Sequence, residues 1–348
     1  MASSRPEAHG RTRPDRVVVT WTDYDVDDPL TGGMLRDAGL AIELAPKDGA
    51  RSVAEVARLM RDAAGAIVST DPFGAEVFAA AARLRVIARV GVGTDSIDLA
   101  AATEAGVVVT TTPGANRETA ADHAMAMILA AVRRIVEHDA SVRRGEWRRT
   151  GASTPWDLHA TTVGIVGFGA IGRAVARRLE GFGTCLLVAD PAIERSDGAE
   201  VVALDELLGR ADVVSLHLPL APTTRHLIGA EALGRMRPQA ILVNTSRGEL
   251  VDQAALVHAL ASGRLRGAAL DVFCDEPHLP RALRALPNVV LTPHVGGLSD
   301  RSITRMTHEA SRSVLAVLAG TASRESIVNP AALEHRRQAG VLAAPGAS

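Results

Sequence analysis

"VGIVGFGAIGRAVARRLEGFGTCLLVAD", Val163 to Asp190, carries the pattern from which the rest of the chain is read. A short apolar run leads into Gly167, Gly169 and Gly172, spaced G-x-G-x-x-G. A segment of helical apolar period follows, then a second apolar run, then an acid. Strand, tight turn, helix and strand make a βαβ unit. In such a unit the first glycine permits the turn and the second lets backbone amides approach a pyrophosphate. The third lets the helix pack close to the sheet. The helix N-terminus adds amide donors and partial positive charge. Asp190 ends the second strand at the roughly 20-residue spacing where a carboxylate grips the hydroxyls of an adenosine ribose. That carboxylate repels the extra phosphate of NADP, so NAD is the expected cofactor. The plainer reading, a βαβ turn without ligand, is disfavoured because strand, helix and terminal acid are all present.

Outward from this unit the alternation continues. Strands are predicted at Thr162–Val166, Thr184–Ala189, Val213–His217, Ala240–Asn244, Gly267–Asp271 and Val289–Thr292. Six strands with helices between them fit a Rossmann sheet. Upstream, strand-like runs at Arg16–Thr20, Gly39–Ala45, Ala64–Thr70, Arg85–Val90 and Gly106–Thr111 alternate with helical segments. Those segments lie near Leu30–Ala38, Ser52–Asp62, Ala75–Ala82 and Asp98–Ala105. This predicts a flavodoxin-like first domain. One long helix is expected over Glu118–Arg143, a loop-like arm after it, and a last helix over Ser302–Leu318. The fold class is therefore α/β with two doubly wound parallel-sheet domains. A substrate domain is expected from residues 16–116 and 300–334, with a Rossmann NAD-binding domain inserted over 117–299. Residues 1–15 and 335–348 are read as tails, and the chain past Asn329–Pro330 as poorly ordered.

The bulk numbers exclude other classes. The 348 residues suit two domains. A net charge of −2 steers the chain toward neither nucleic acid nor anionic membrane. Lys47 is the only lysine, which we read as GC-rich codon usage of a bacterial kind. Cys185 and Cys274 show no metal-ligand spacing, so no metal is expected and a reducing cytoplasm fits. The N-terminal stretch lacks the apolar run of a secretory signal. The longest apolar helix candidate, Ala120–Ile135, is interrupted by Asp122 and His123 and falls short of the roughly 18 apolar residues a membrane span needs.

Hydride transfer to a carbonyl needs a proton donor at oxygen and a cation to orient the substrate. "VNTSRGELVD" puts Arg247 just past one strand, "ALDVFCDEP" puts Asp271 and Glu276 at the end of the next, and "NVVLTPHVGG" puts His294 past a third. Ligands of parallel sheets bind outside the carboxyl ends of strands. Each residue has a bland reading, since the chain holds eleven histidines and many surface arginines. Their shared placement at strand ends favours chemistry.

At these residues the chain resembles the NAD-dependent D-2-hydroxyacid dehydrogenase family, close to its phosphoglycerate dehydrogenase-like branch. The resemblance runs from Val86 to Pro330, on "GVGTDSIDLAAATEAGVVVTTTPGAN", "VGIVGFGAIG", "HLPLAPTTRHLI", "NTSRGELVD", "LDVFCDEP", "LTPHVGG" and "VNP". It implies that His294 is the general acid–base, that Glu276 orients its ring and stabilises its charged form, and that Arg247 binds the substrate. Backbone amides of Val92 and Gly93 would hold the substrate carboxylate. Asp271 would contact the nicotinamide side of NAD. Ala170, Ile171, Leu218, Pro219, Thr223, Thr245, Ser246, Gly296 and Gly297 would line the cofactor beside the three glycines and Asp190. The resemblance also implies a homodimer. Two other functions stay open: a relative acting on a phosphorylated or phosphonate substrate, marked by an extra N-terminal arginine, and a corepressor-like protein that uses NAD to control assembly.

Overall fold

The computed structural model describes residues 14–338, except 48, 148, 152 and 153. The chain divides into two compact units, Gly114–Ser302 and the segments on either side of it.

The flanking unit holds five strands: β1 (Arg16–Val19), β2 (Ala41–Leu44), β3 (Ala63–Val68), β4 (Val86–Arg89) and β5 (Val108–Thr110). Their order is β2-β1-β3-β4-β5, and all neighbours are parallel. This is the flavodoxin-like order. Every residue of the central strand β3 is buried, as a strand covered on both faces must be. The helix Val53–Met60 starts on a reciprocal capping box between Ser52 and Glu55. On the far edge, Thr110 and Ile327 form an antiparallel bridge, and the Asn329 side chain accepts the Val109 amide and donates to the Val107 carbonyl. The segment expected to be poorly ordered past Pro330 is instead a helix, Ala331–Gln338, packed on the helix Leu99–Glu104. Its few apolar residues hide the periodicity, and Ala332 is fully buried. Residues 339–348 and 1–13 of the expected tails lie outside the described residues. The predicted helix Leu30–Ala38 is a π-turn over Pro29–Gly33 followed by one α-turn, Met34–Asp37.

The inner unit holds seven strands: β6 (Thr162–Val166), β7 (Cys185–Ala189), β8 (Glu200–Val201), β9 (Val213–Leu216), β10 (Ile241–Asn244), β11 (Gly267–Leu270) and β12 (Val289–Leu291). They lie in the order β12-β11-β10-β9-β6-β7-β8, all parallel. Six strands were expected. The seventh, β8, is a two-residue edge strand too short and polar to show in the sequence. Alternate strand residues feed two cores. Val214, Leu216, Leu242 and Leu270 face one side, and Val163, Ile165, Val243 and Ala269 the other. The chain winds outward in opposite directions from β6 and β9, so their carboxyl ends open a crevice.

The long helix expected over Glu118–Arg143 is two helices, Arg117–Val132 and Ile135–Arg143. Arg134 takes a left-handed φ of 53° between them. No glycine or proline marks the break. The returning arm makes it: the Trp156 amide donates to the Val132 carbonyl at 3.0 Å, and Arg134 ion-pairs with Glu137. Among the described residues no helix is long and apolar enough to cross a membrane.

Candidate active site

The glycine turn sits at the crevice between β6 and β9. Gly167 has φ 89°, and a Cβ there would lie 2.5 Å from the His217 carbonyl oxygen. A Cβ on Gly172 would lie 2.2 Å from the Gly167 oxygen. Gly169 differs, because a Cβ there meets no atom of the chain within 4 Å. It begins the helix Ala170–Glu180, and no side chain caps that helix. Ala170 is exposed and Ile171 half-buried on its first turn. Open space over uncapped amides is what a pyrophosphate requires. Asp190 stands beside the turn, half-buried, accepting the Phe168 amide at 2.7 Å and the Ala192 amide at 2.9 Å. The carboxylate thus ties the end of β7 to the turn. These residues fit a dinucleotide.

At the end of β9, His217 is buried, and burial pushes its ring down to about 4. Its Nε2 lies 2.9 Å from Ser215 Oγ, and its buried Nδ1 finds no partner among the described residues. Leu218, Pro219 and Thr223 follow in a largely open loop. At the end of β10 the Asn244 amide folds the next residues back, accepting the Ser246 N–H at 3.0 Å and donating to the Arg247 carbonyl at 2.7 Å. Ser246 Oγ donates to the Leu216 carbonyl. Thr245 and Arg247 are left half-buried at the strand end. Gly248 must follow, since a Cβ there would lie 2.0 Å from the carbonyl carbon of Phe273. The Arg247 loop is therefore packed directly on the loop after β11.

That loop carries Glu276. Its Oε1 accepts the Phe273 amide at 2.9 Å, and its Oε2 lies 2.7 Å from His294 Nδ1. His294 has φ 54°, a left-handed conformation that costs a residue with a Cβ about 1 kcal/mol or more. Asp271, 1% exposed, clamps the segment around it. The Asp271 carbonyl accepts the His294 amide, Oδ1 accepts the Val295 amide, and Oδ2 accepts the Gly296 amide. Thr292 Oγ1 donates to Oδ1 at 2.5 Å, and His123 Nε2 lies 3.3 Å from the same oxygen. Burial pushes the Asp271 carboxyl up, but His123, Thr292 and the two amides outweigh it and hold the group below the usual carboxylate range.

The structure thus brings Arg247, Glu276 and His294 to the carboxyl ends of three neighbouring strands, β10, β11 and β12, with Glu276 and His294 in contact. Gly296 and Gly297 continue the same loop. Asp271 Oδ1 is shared by Thr292, the Val295 amide and the nearby His123 ring, while Oδ2 accepts the Gly296 amide alone. Val92, exposed, and Gly93 belong to the flanking unit, in the loop after β4. Sequence reasoning missed His123, Thr292 and His217. The one available signal was Asp122–His123, two polar residues inside an apolar helical run. Among the described residues no group of His, Cys, Asp or Glu is placed to hold a metal ion.

Known proteins share this fold. Residues 125–296 match the family model for the D-isomer specific 2-hydroxyacid dehydrogenase, NAD binding domain. A glyoxylate reductase of Korarchaeum cryptofilum is 48% identical over 260 residues, 72% of this chain and 78% of the relative. A D-3-phosphoglycerate dehydrogenase of Mycobacterium tuberculosis is 44% identical over 250 residues, 71% of this chain but only 47% of that longer protein. Among solved structures, a Thermus thermophilus protein superposes with TM-score 0.82 at 41% identity, covering 90% of this chain and 99% of its own. A D-lactate dehydrogenase from Aquifex aeolicus, complexed with NAD and lactic acid, superposes with TM-score 0.79 at 29% identity, covering 90% and 99%. With two parallel sheets, a dinucleotide turn and these relatives, the chain belongs to the D-isomer specific 2-hydroxyacid dehydrogenase family, as an oxidoreductase of CH–OH donors that uses NAD.

Proposed function

We propose that the protein interconverts a small, unphosphorylated D-2-hydroxy acid and its 2-keto acid, with His294, Glu276 and Arg247 as its catalytic residues. The observation that carries this reading is the contact of His294 Nδ1 with Glu276 Oε2. A carboxylate accepts only, so Nδ1 keeps its proton and Nε2 is the nitrogen that exchanges one with substrate. In reduction the charged ring donates from Nε2 to the carbonyl oxygen; in oxidation the neutral ring takes the hydroxyl proton there. Bound NADH supplies the hydride that the carbonyl carbon receives. Arg247 orients the substrate carboxylate and carbonyl.

The loop after β3, next to the Val92–Gly93 loop, supports the unphosphorylated substrate class. Phe73 bonds Ser96 and Asp98 across the two, at 2.8 Å each. A phosphate tail needs a free cation there. Arg51, one cation that reaches this loop, is instead ion-paired with Asp71 at 2.7 Å, both side chains 7% exposed, and Thr20 Oγ1 donates to the other Asp71 oxygen at 2.6 Å. The pair neutralises itself and offers no anion site. The glyoxylate reductases among the relatives therefore suggest a better first substrate than the phosphoglycerate dehydrogenases do.

The test is NADH consumption by the pure protein with glyoxylate, hydroxypyruvate and 3-phosphohydroxypyruvate. Turnover of the first two, lost in His294→Asn, with KM raised in Arg247→Ala, supports the reading. Turnover of the phosphorylated acid alone overturns the substrate class. No turnover with any keto acid favours the NAD-sensing alternative.

A homodimer is part of the same proposal. Ile135, Val136, Val142 and Trp147 are all exposed on the second helix and the arm that follows it. Beside them lies a cavity of about 310 Å³ lined in part by Arg134, Val136, Leu286 and Pro287. A second copy of the chain would cover this apolar surface.

A further inference from the structure

We infer that His123, acting through Asp271 and Thr292, is a positioning residue that holds the left-handed His294 loop in its working geometry. The inference rests on the proposed role of His294. His123 lies on the helix Arg117–Val132, far along the chain from the strand ends. Its Nε2 stands 3.1 Å from Thr292 Oγ1 and 3.3 Å from Asp271 Oδ1.

The proton placement can be worked out. Two oxygens 2.5 Å apart, Thr292 Oγ1 and Asp271 Oδ1, need a hydrogen between them. The Asp271 carboxylate has none to give, so Thr292 donates. Nε2 of His123 then faces only acceptors and must carry a proton itself. Asp271 Oδ1 consequently collects donors from Thr292, from the Val295 amide and from His123, while Oδ2 takes the Gly296 amide. A buried carboxylate persists as an anion only when so surrounded.

These contacts reach His294 by a short path. The Asp271 carbonyl accepts the His294 amide at 2.8 Å, and its two carboxylate oxygens hold the next two amides. Three consecutive N–H groups, beginning at the residue with φ 54°, are therefore fixed by one side chain and its carbonyl. A strained conformation survives only where its surroundings over-determine it. Without the third donor, Asp271 is a buried anion short of a partner, and its remedy is to rotate or take up water, which releases the amides and lets His294 relax. A shift of the ring by about 1 Å costs about 100-fold in rate.

The experiment compares His123→Leu, His123→Gln, Thr292→Val and Thr292→Ser with the unaltered protein. Measured quantities are kcat and KM for keto-acid reduction, the dissociation constant for NADH, and the ring-nitrogen shifts of His294 in long-range ¹H–¹⁵N spectra, assigned by their absence from His294→Asn. The expected result is a kcat lower by about 100-fold in His123→Leu, with NADH affinity unchanged and the His294 nitrogens no longer those of one tautomer. Gln places an N–H near the Nε2 position and should recover most of kcat, as Ser should relative to Val at Thr292. Unchanged kcat in His123→Leu, or a loss that appears as weaker NADH binding, overturns the inference. So does a Gln variant no better than Leu. If His123→Leu does not fold, the Val and Ser pair decides by the same criteria. If the unaltered protein reduces no keto acid, the proposed function fails, and the nitrogen shifts alone still test the positioning.

Discussion

His294 Nδ1 lies 2.7 Å from Glu276 Oε2, and the other oxygen of that carboxylate accepts the Phe273 amide at 2.9 Å. Glu276 is therefore asked for two acceptors at once. Gln offers one. In Glu276→Gln either the Phe273 amide loses its acceptor or the ring faces an NH2 that donates, which reverses the Nδ1–H tautomer, so kcat should fall. His294→Asn should fall further, by about 100- to 10,000-fold, while NADH still binds. Steady-state kinetics with an NADH fluorescence titration check this. Near-native turnover in His294→Asn sinks the assignment.

The three glycines of the turn should separate by experiment. Gly172→Ala drives a Cβ against a backbone oxygen at 2.2 Å, and overpacking of this kind costs about 1–3 kcal/mol. Its melting temperature should drop. Gly169→Ala meets nothing within 4 Å and has φ −73°, so its stability should hold. Its methyl enters the space proposed for the pyrophosphate, and NADH affinity should fall by about 10-fold, or about 1.4 kcal/mol. Equal effects of the two changes on melting would count against this division.

Asp190 both anchors the turn, through the Phe168 amide at 2.7 Å, and places negative charge at the end of β7. Asp190→Ala should weaken NADH and narrow its advantage over NADPH. The freed amide should also cost about 1 kcal/mol of stability. Kinetics with both cofactors read the first effect. A native enzyme that prefers NADPH would contradict it.

His217 gives a stability limb in acid. Its folded value is about 4, against about 6.5 in an unfolded chain. Between these values the unfolded state holds a proton that the folded state refuses, so stability rises with pH across the window and is lost as pH falls. From about pH 7 to about pH 5 this residue alone should remove on the order of 2 kcal/mol. Urea unfolding at the two pH values should show a shallower loss in His217→Gln. An unchanged slope would mean the ring is protonated in the fold.

The exposed apolar run on the second helix and its arm motivates the last test. Trp147 is 79% exposed, and an indole is expensive to leave in water. Light scattering should give a dimer for the unaltered protein and a monomer for Trp147→Glu. A monomeric native protein at micromolar concentration would remove the homodimer.

The dinucleotide turn was legible because its chemistry is local. Gly167, Gly169, Gly172 and Asp190 sit within one βαβ unit, where backbone geometry dictates residue type. Arg247, Glu276 and His294 were legible for a related reason: each follows an apolar strand run, and a parallel sheet delivers all strand ends to one side. The elements that went astray are those whose cause lies elsewhere in the chain. Arg134 breaks a helix because Trp156 bonds its last turn. The helix Ala331–Gln338 forms because a neighbouring helix covers Ala332. The network of His123, Asp271 and Thr292 spans three separate segments that meet only in the folded unit. Strand order and turn conformation are short-range consequences of side-chain period and backbone sterics, which a linear reading contains. The donors around a buried carboxylate are chosen by which surfaces pack together, and no local pattern records that choice.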